Sequence, residues 1–225
     1  MYRNFFKRIF DFFSSILIII ILTPILLTVS VILLFTGENE VFYLQFRVGY
    51  KNTFFKIFKF TTMVKDSPNL GTGSLTLRND PRILPMGHFL RKTKINELPQ
   101  IFNVLFNHMS IVGPRPQMEV DFKKFPPDIQ KSIYNTKPGI TGIGSIVFRD
   151  EERWISECKG DKHAFYREKI APYKGELELW YQKNISFLTD IKLIFLTAYV
   201  ILFPKSNIYN NFFNSLPKRP KHLRF

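Results

Sequence analysis

The chain has 225 residues, with 32 Lys and Arg against 18 Asp and Glu for a formal net charge of +14, and it is 45% hydrophobic and 16% aromatic. That length holds one ordinary domain plus an appendage, and that much apolar side chain excludes an intrinsically disordered chain. A single cysteine, Cys158, excludes an internal disulfide and a cysteine-rich zinc site, while the positive excess asks for an anionic partner: nucleic acid, anionic lipid or a phosphorylated substrate.

Charge is absent from Phe12 to Thr36, which reads FFSSILIIIILTPILLTVSVILLFT. Spanning a bilayer takes about 20 apolar residues. A secretory signal core is shorter, about 7–15 residues, and ends at a small-residue cleavage site that is missing here. A core helix of a soluble domain is not so uniformly apolar. The run is a membrane segment. Pro24, preceded by Thr23, sits at its centre, where a proline removes one helix hydrogen bond and kinks the axis. Arg3, Lys7 and Arg8 precede the run and are expected to face lipid headgroups, and Arg47, Lys51 and Lys56 follow it, so the positive-inside rule selects no orientation. A helix that bends at Thr23-Pro24 and returns to its own leaflet satisfies both flanks, with Ser14, Ser15 and Thr23 bonding the carbonyls freed at the kink.

Residues 41–63 are aromatic and β-branched and break at Gly49-Tyr50-Lys51-Asn52, which predicts a β-hairpin. Residues 64–80, with Gly71, Gly73 and Ser74, read as a loop. Helical patterns follow from Met86 past Leu90, from Asn96, and from Tyr173 to Gln182. The second apolar stretch, Leu193–Phe203, is too short to span; it lies in the interface or packs in the core. The tail PKRPKHLRF suits anionic lipid or a solvated end. The expected fold is α+β: a helix-rich domain with a short β-hairpin, fused to an N-terminal Pro-kinked re-entrant helix and interfacial amphipathic helices. It divides into a membrane helix (1–38), a main domain (39–203) and a basic tail (204–225).

Chemistry concentrates between Leu90 and Pro116. Asn96 reads as an N-cap with Pro99 in the first turn, which puts Glu97 beside the positive end of a helix. Arg91, Lys92 and Lys94 add cations there; plain capping beside a solvated basic turn is the competing reading. Gly113-Pro114-Arg115-Pro116 is a stiff turn holding one arginine, whose fork suits phosphate or carboxylate. No Walker loop or dinucleotide glycine fingerprint is present, and His88, His108, His163 and His222 lack metal-ligand spacing.

In order along the chain come Lys7-Arg8…Asp11, Pro24, Gln45-Phe46-Arg47-Val48-Gly49, Lys59-Phe60…Met63, Asn79-Asp80-Pro81-Arg82 and Gly87…Leu90-Arg91. Glu97-Leu98-Pro99-Gln100, Asn103-Val104-Leu105, Met109-Ser110, Val112-Gly113-Pro114-Arg115-Pro116 and Lys137-Pro138-Gly139-Ile140-Thr141-Gly142 follow. With these motifs the chain, from Arg3 to about Phe203, resembles the bacterial sugar transferases, the monotopic phosphoglycosyl transferases of the small membrane-anchored class. The resemblance implies an enzyme that moves a sugar phosphate from a UDP-sugar to undecaprenyl phosphate. It releases UMP and initiates a surface polysaccharide or other glycoconjugate. It also implies a catalytic domain on the cytoplasmic face of the bacterial inner membrane, with no nucleic-acid partner. A homo-oligomer and downstream glycosyltransferases are open as protein partners. Small-class members carry a re-entrant helix broken at a Ser-Pro pair, whose place Thr23-Pro24 takes here.

Magnesium assists the family's reaction, and an Asp-Glu pair does the chemistry, the Asp attacking phosphorus to form a covalent phosphosugar. Here that Asp is Asn96, and only Glu97 remains a carboxylate. Thr61 replaces a basic residue, and Asn107-His108 replaces a Gly-Asp pair. The resemblance assigns chemistry to Glu97, Asn96 and Lys59, and donor phosphates to Asp80, Arg82, Arg91, Pro114, Arg115 and Pro116. It assigns the metal to Glu97 and Asp150, with Asp150 or Glu151 as substitute for the missing carboxylate; a solvated charge run is the alternative for that cluster. Three outcomes are open. One is an active transferase, with Glu97 as nucleophile or with direct attack by the lipid phosphate. Another is a pseudoenzyme partner or regulator of a glycan pathway. A membrane-tethered nucleic-acid binder ranks last.

Overall fold

The computed structural model describes residues 2–71, 75–77, 79–203, 206 and 208–223. The expected loop positions 72–74 and 78 and the last two tail residues lie outside the described residues. Helix α1, Lys7–Leu34, is continuous through Pro24. Its buried residues, Lys7, Asp11, Ser15, Leu26, Val29 and Leu33, recur at spacings of three, four and eleven, all of which return to one face of a helix, and form one stripe. The opposite face leaves Phe13, Leu17, Ile20, Ile21 and Leu27 about 60% exposed. An apolar face of this size on the outside of a folded domain is a contact surface for lipid or protein, not a core.

Both halves of α1 rest on the same domain. Asp11 Oδ1 accepts the Ile111 amide at 3.0 Å, and Leu33 packs in a cluster with Phe60 and Leu90. The Thr23 hydroxyl donates to the Ile19 carbonyl at 2.7 Å and Ser15 to Phe12 at 2.8 Å. The carbonyl that Pro24 deprives of its donor is that of Ile20, so neither hydroxyl serves it.

The hairpin is present. Strands β1 (Phe42–Val48) and β2 (Phe54–Phe60) pair antiparallel, with Phe42 opposite Phe60 and Val48 opposite Phe54. Its turn places Lys51 and Asn52 at φ of 54° and 58°. Helices α2 (Pro85–Thr93) and α3 (Gln100–Leu105) follow. Strand β3 (Ser110–Val112) pairs in parallel with β4 (Gly139–Thr141). Short helices α4 (Glu119–Phe122) and α5 (Pro127–Ser132) lie between those strands. After them come α6 (Ile143–Val147), α7 (Glu151–Glu157), α8 (Lys162–Phe165), α9 (Ala171–Lys183), α10 (Phe187–Leu202) and α11 (Tyr209–Phe212). The core runs from β3 through α9 to α10, where Met109, Val112, Ile143, Leu177, Leu193 and Leu196 are fully buried.

The second apolar stretch packs in the core on one side, one of the two roles expected of it. Ser186 caps α10 by accepting the Thr189 amide, and Asp190, Leu193, Leu196 and Val200 face inward. Phe187, Leu188, Phe195, Ile201 and Leu202 remain exposed on its outer side. The tail is a correction: it is not a free basic end. Leu223 is buried, the Tyr173 hydroxyl donates to the Pro217 carbonyl at 3.1 Å, and the Arg219 guanidinium lies 5.0 Å from the Trp154 ring centroid. Trp154 and Tyr173 hold it by stacking and hydrogen bonding that no local pattern discloses.

The basic flank of α1 is a correction too. Lys7 and Arg8 do not face headgroups: Lys7 Nζ is 2.5 Å from the fully buried Asp190 Oδ2, and Arg8 donates to the Val104 carbonyl at 3.2 Å. The hydroxyls of Tyr2 and Tyr181 each donate to Asp190 at 2.7 Å. Tyr181 also lies 3.1 Å from the Val112 carbonyl. This buried network ties the foot of the membrane helix to the strand that leads into Gly113-Pro114-Arg115-Pro116.

Candidate active site

Where β3 ends, the chain passes against the segment that forms β4, with no room for side chains. A Cβ on Gly113 would stand 2.4 Å from the Lys137 carbonyl, one on Gly139 2.0 Å from the Gly113 amide, and one on Gly142 2.3 Å from the Gly113 carbonyl. The two Pro-Gly motifs are therefore halves of one contact. Pro114 accepts the Gly139 amide at 2.8 Å. The Tyr134 hydroxyl clamps the turn around Pro116, donating to the Arg115 carbonyl at 2.8 Å and accepting the Gln117 amide at 2.9 Å. Arg115 is thereby aimed before any ligand arrives.

Its target is Glu97. Arg115 Nη2 lies 2.6 Å from Glu97 Oε1 and Nη1 3.3 Å from Oε2, a fork on a carboxylate. Lys59, near the end of β2, reaches the same Oε1 at 3.3 Å. Burial disfavours the charged carboxylate, but Arg115 and Lys59 outweigh it and hold Glu97 well below the usual glutamate range. Glu97 in turn pushes Arg115 up. Lys59 is drawn down to about 7, first by burial, which Glu97 opposes, and then by Arg115, Arg47 and Arg91.

The local path to Glu97 differs from the expected one. Lys94 adopts a left-handed conformation at φ 62° and ends α2. Ile95–Glu97 then forms a 3₁₀ turn, in which the Glu97 amide bonds the Lys94 carbonyl and the Leu98 amide the Ile95 carbonyl. Helix α3 starts only at Gln100, with Pro99 in the capping position. Asn96 is thus not an N-cap, because the Leu98 amide it would serve is already bonded to Ile95 and Pro99 has none, and the helix-end argument for Glu97 falls with it. Asn96 is 5% exposed, and its Oδ1 has no hydrogen-bond partner.

Two other assignments are corrected. Arg82 is buried and its five N–H groups bond internally, to both carboxylate oxygens of Asp80 and to the carbonyls of Ser67, Leu70 and Leu75. The hydrogen bonds from Arg82 hold the Asp80 carboxyl down at about 2. This pair gathers the backbone at Ser67, Leu70 and Leu75, so Arg82, although it lines the polar cleft described below, offers no free fork to a phosphate. Asp150 is two-thirds exposed, 3.8 Å from Arg153, and lines neither cleft described below. Its neighbours do: Glu151 pairs with Lys174, and Glu152 accepts from Arg91 at 2.7 Å.

Two clefts meet at Glu97. A polar one of about 210 Å³ is lined by Tyr43, Arg47, Lys59, Thr61, Arg91 and Asn96, among others. An apolar one of about 380 Å³ runs between α1 and α10, along Ile18, Leu22, Ile101, Ile140, Val200 and Ile201. Lys94, Glu97, Arg115, Glu151, Glu152 and Lys174 line both. The structure therefore brings Glu97, Asn96, Lys59, Arg91 and Arg115 together, with Pro114 and Pro116 as their frame. Sequence reasoning missed Lys174, Glu152 and Arg47 as members. Arg47 stood within a quoted motif and Glu152 beside Glu151 in the charged run 149–153, but nothing local marked Lys174.

Fold and site together define a membrane-anchored α+β domain with a cationic cleft opening onto an apolar one. The chain belongs to the bacterial sugar transferase family, whose sequence profile matches residues 2–204. It is 33% identical over 196 residues to the undecaprenyl-phosphate glucose phosphotransferase of Komagataeibacter xylinus, covering 85% of this chain and 35% of that protein. It is 35% identical over 196 residues to the UDP-glucose:undecaprenyl-phosphate glucose-1-phosphate transferase of Klebsiella pneumoniae, covering 86% and 39%. With the exopolysaccharide production protein PSS of Rhizobium leguminosarum bv. phaseoli it shares 32% over 200 residues, 85% of this chain and 92% of that one. The chain thus spans about two fifths of the longer relatives and nearly all of the shorter.

Lys59 yields a pH prediction. In the free protein it loses its charge as pH rises through about 7, and a bound anion raises that value. Binding of a non-titrating oxyanion such as sulfate in the cleft is therefore expected to weaken above pH 7, and Lys59→Arg to flatten that limb. Sulfate titrations across pH check this; an unchanged limb in Lys59→Arg contradicts it.

Proposed function

We propose that this chain transfers a sugar 1-phosphate from a UDP-sugar to undecaprenyl phosphate, releasing UMP and starting a surface glycan. The observation that carries this reading is the meeting of the polar and apolar clefts at Glu97 and Arg115. A nucleoside diphosphate sugar suits the polar side, lined by Arg47, Lys59 and Arg91. A polyprenyl chain suits the apolar side, whose walls are the membrane helix and α10. The relatives named for undecaprenyl-phosphate phosphotransfer support the same reading.

The exposed apolar faces of α1 and α10 support a monotopic attachment to a membrane; a cytosolic nucleotide-sugar donor would place that attachment at the bacterial inner membrane, with the catalytic domain on the cytoplasmic side. Both halves of α1 contact one domain, which favours a helix that enters the bilayer without crossing it.

Magnesium fits as an ion carried by the donor's diphosphate. Mg²⁺ is a hard cation that takes oxygen ligands, usually one or two carboxylates plus substrate phosphates. The unpartnered Asn96 Oδ1 in the polar cleft is a hard oxygen of that kind, beside Glu97. Asn96 Oδ1 would hold it, since both Glu97 oxygens lie on Arg115 and Lys59, and when bound it would offset diphosphate charge. Asp150 is not in reach. The protein's own part is to bind the donor and lipid phosphates through Arg115, Lys59, Arg91 and Lys174, with Glu97 orienting Arg115 and Lys59. Asn96 favours one alternative, a pseudoenzyme acting as partner or regulator in a glycan pathway.

The test is UMP release by purified membrane-bound protein over a panel of UDP-sugars. Release is expected only with polyprenyl phosphate and magnesium both present. Silence across the panel, with turnover restored by Asn96→Asp, would establish the pseudoenzyme instead.

A further inference from the structure

Given the transfer just proposed, Asn96 and Glu97 bear on how phosphorus is attacked. An amide at position 96 is neutral and a poor nucleophile. Glu97 is a carboxylate, but both its oxygens are held by the Arg115 fork, at 2.6 and 3.3 Å, with Lys59 on one of them. To attack phosphorus it would have to give up that fork. Glu151 and Glu152 are paired with Lys174 and Arg91. Meanwhile the two clefts share Lys94, Arg115 and Lys174, so a donor phosphate and a lipid phosphate can flank the same cations at once.

We infer that this chain works by single displacement within a ternary complex, without a covalent phosphosugar on the protein. An oxygen of the polyprenyl phosphate forms a bond to the sugar-bearing phosphorus of the donor. The bond from that phosphorus to the bridging oxygen breaks, and its electron pair leaves with the bridging oxygen on UMP. A phosphate dianion and a diphosphate dianion become a new diphosphate dianion and a UMP dianion, so no proton has to move and no general base is needed. Arg115, Lys59 and Lys174 offset the charge gathered between the two phosphates. Glu97 is then a positioning residue that aims two of those cations.

The experiment uses the full chain in nanodiscs with UDP-sugar and radiolabelled UMP, with and without polyprenyl phosphate. The unaltered chain is expected to release UMP when both substrates are present. Without the lipid phosphate it is expected to exchange no label into UDP-sugar, and initial rates should give intersecting double-reciprocal lines. Asn96→Asp, which restores a carboxylate at that position, is expected to gain the lipid-independent exchange. Lipid-independent exchange by the unaltered chain at a rate matching its transfer, or a phosphosugar adduct on Glu97 by mass spectrometry, overturns single displacement but leaves the transfer reading intact. Absence of UMP release from the whole donor panel overturns the transfer reading, and this inference with it.

Discussion

Replacing Arg115 with alanine is expected to lower transfer by about 10²–10³-fold, the usual cost of removing one pre-aimed stabiliser of phosphoryl charge. Arg115 is held on three sides. Its carbonyl accepts from Tyr134, prolines flank it, and its fork lies on Glu97. Little order remains to be imposed when phosphate arrives. Arg115→Lys restores the charge without the fork, so it should recover only part of the loss. Steady-state assays of both variants, with thermal unfolding to show that the fold persists, give the measurement. Equal activity in Arg115→Ala and the unaltered chain would remove Arg115 from the site.

The second large effect is on stability. Lys7→Ala is expected to destabilise the protein by about 3–5 kcal/mol, because it strands the carboxylate of Asp190 in the core without its cation. Asp190 is fully buried, and its remaining donors are the hydroxyls of Tyr2 and Tyr181. Lys7→Met combined with Asp190→Leu removes both charges and should recover much of the loss, since replacing a whole buried pair by apolar groups is often neutral. Thermal unfolding in detergent measures both. The network also touches the Val112 carbonyl through Tyr181, so Lys7→Ala should lower activity below its melting temperature as well.

These two residues show what the sequence made legible. Arg115 could be picked out locally, because two prolines and a glycine around one arginine announce a stiff turn. The membrane helix, the hairpin and α9 were equally visible, since each depends on an unbroken apolar run, a turn or a pattern within one segment. Lys7 could not be read correctly: it looked like a headgroup contact, and only folding brings Asp190, 183 positions away, beside it. Arg82 was misread for the same kind of reason. Its partners include the nearby Asp80, but the carbonyls that occupy its remaining donors are those of Ser67, Leu70 and Leu75, which only folding brings to it.

Asn96 was misread more subtly. An Asn followed by an acidic residue and a proline reads as a helix start, but the left-handed Lys94 begins a tight 3₁₀ turn and shifts α3 downstream. The same turn buries the Asn96 side chain in the cleft wall instead of at a helix end. Lys174 and Glu152 entered the site through the packing of α7 and α9, which no spacing within either segment reports.

The central claim is that the two clefts bring a sugar phosphate to a lipid phosphate. It is tested most directly by extracting the lipid from a reaction of the purified chain with a UDP-sugar and polyprenyl phosphate, and weighing it by mass spectrometry. The account predicts a polyprenyl diphosphate sugar, in amount equal to the UMP released. UMP release matched by free sugar 1-phosphate in the water phase, with the lipid unchanged, would contradict it.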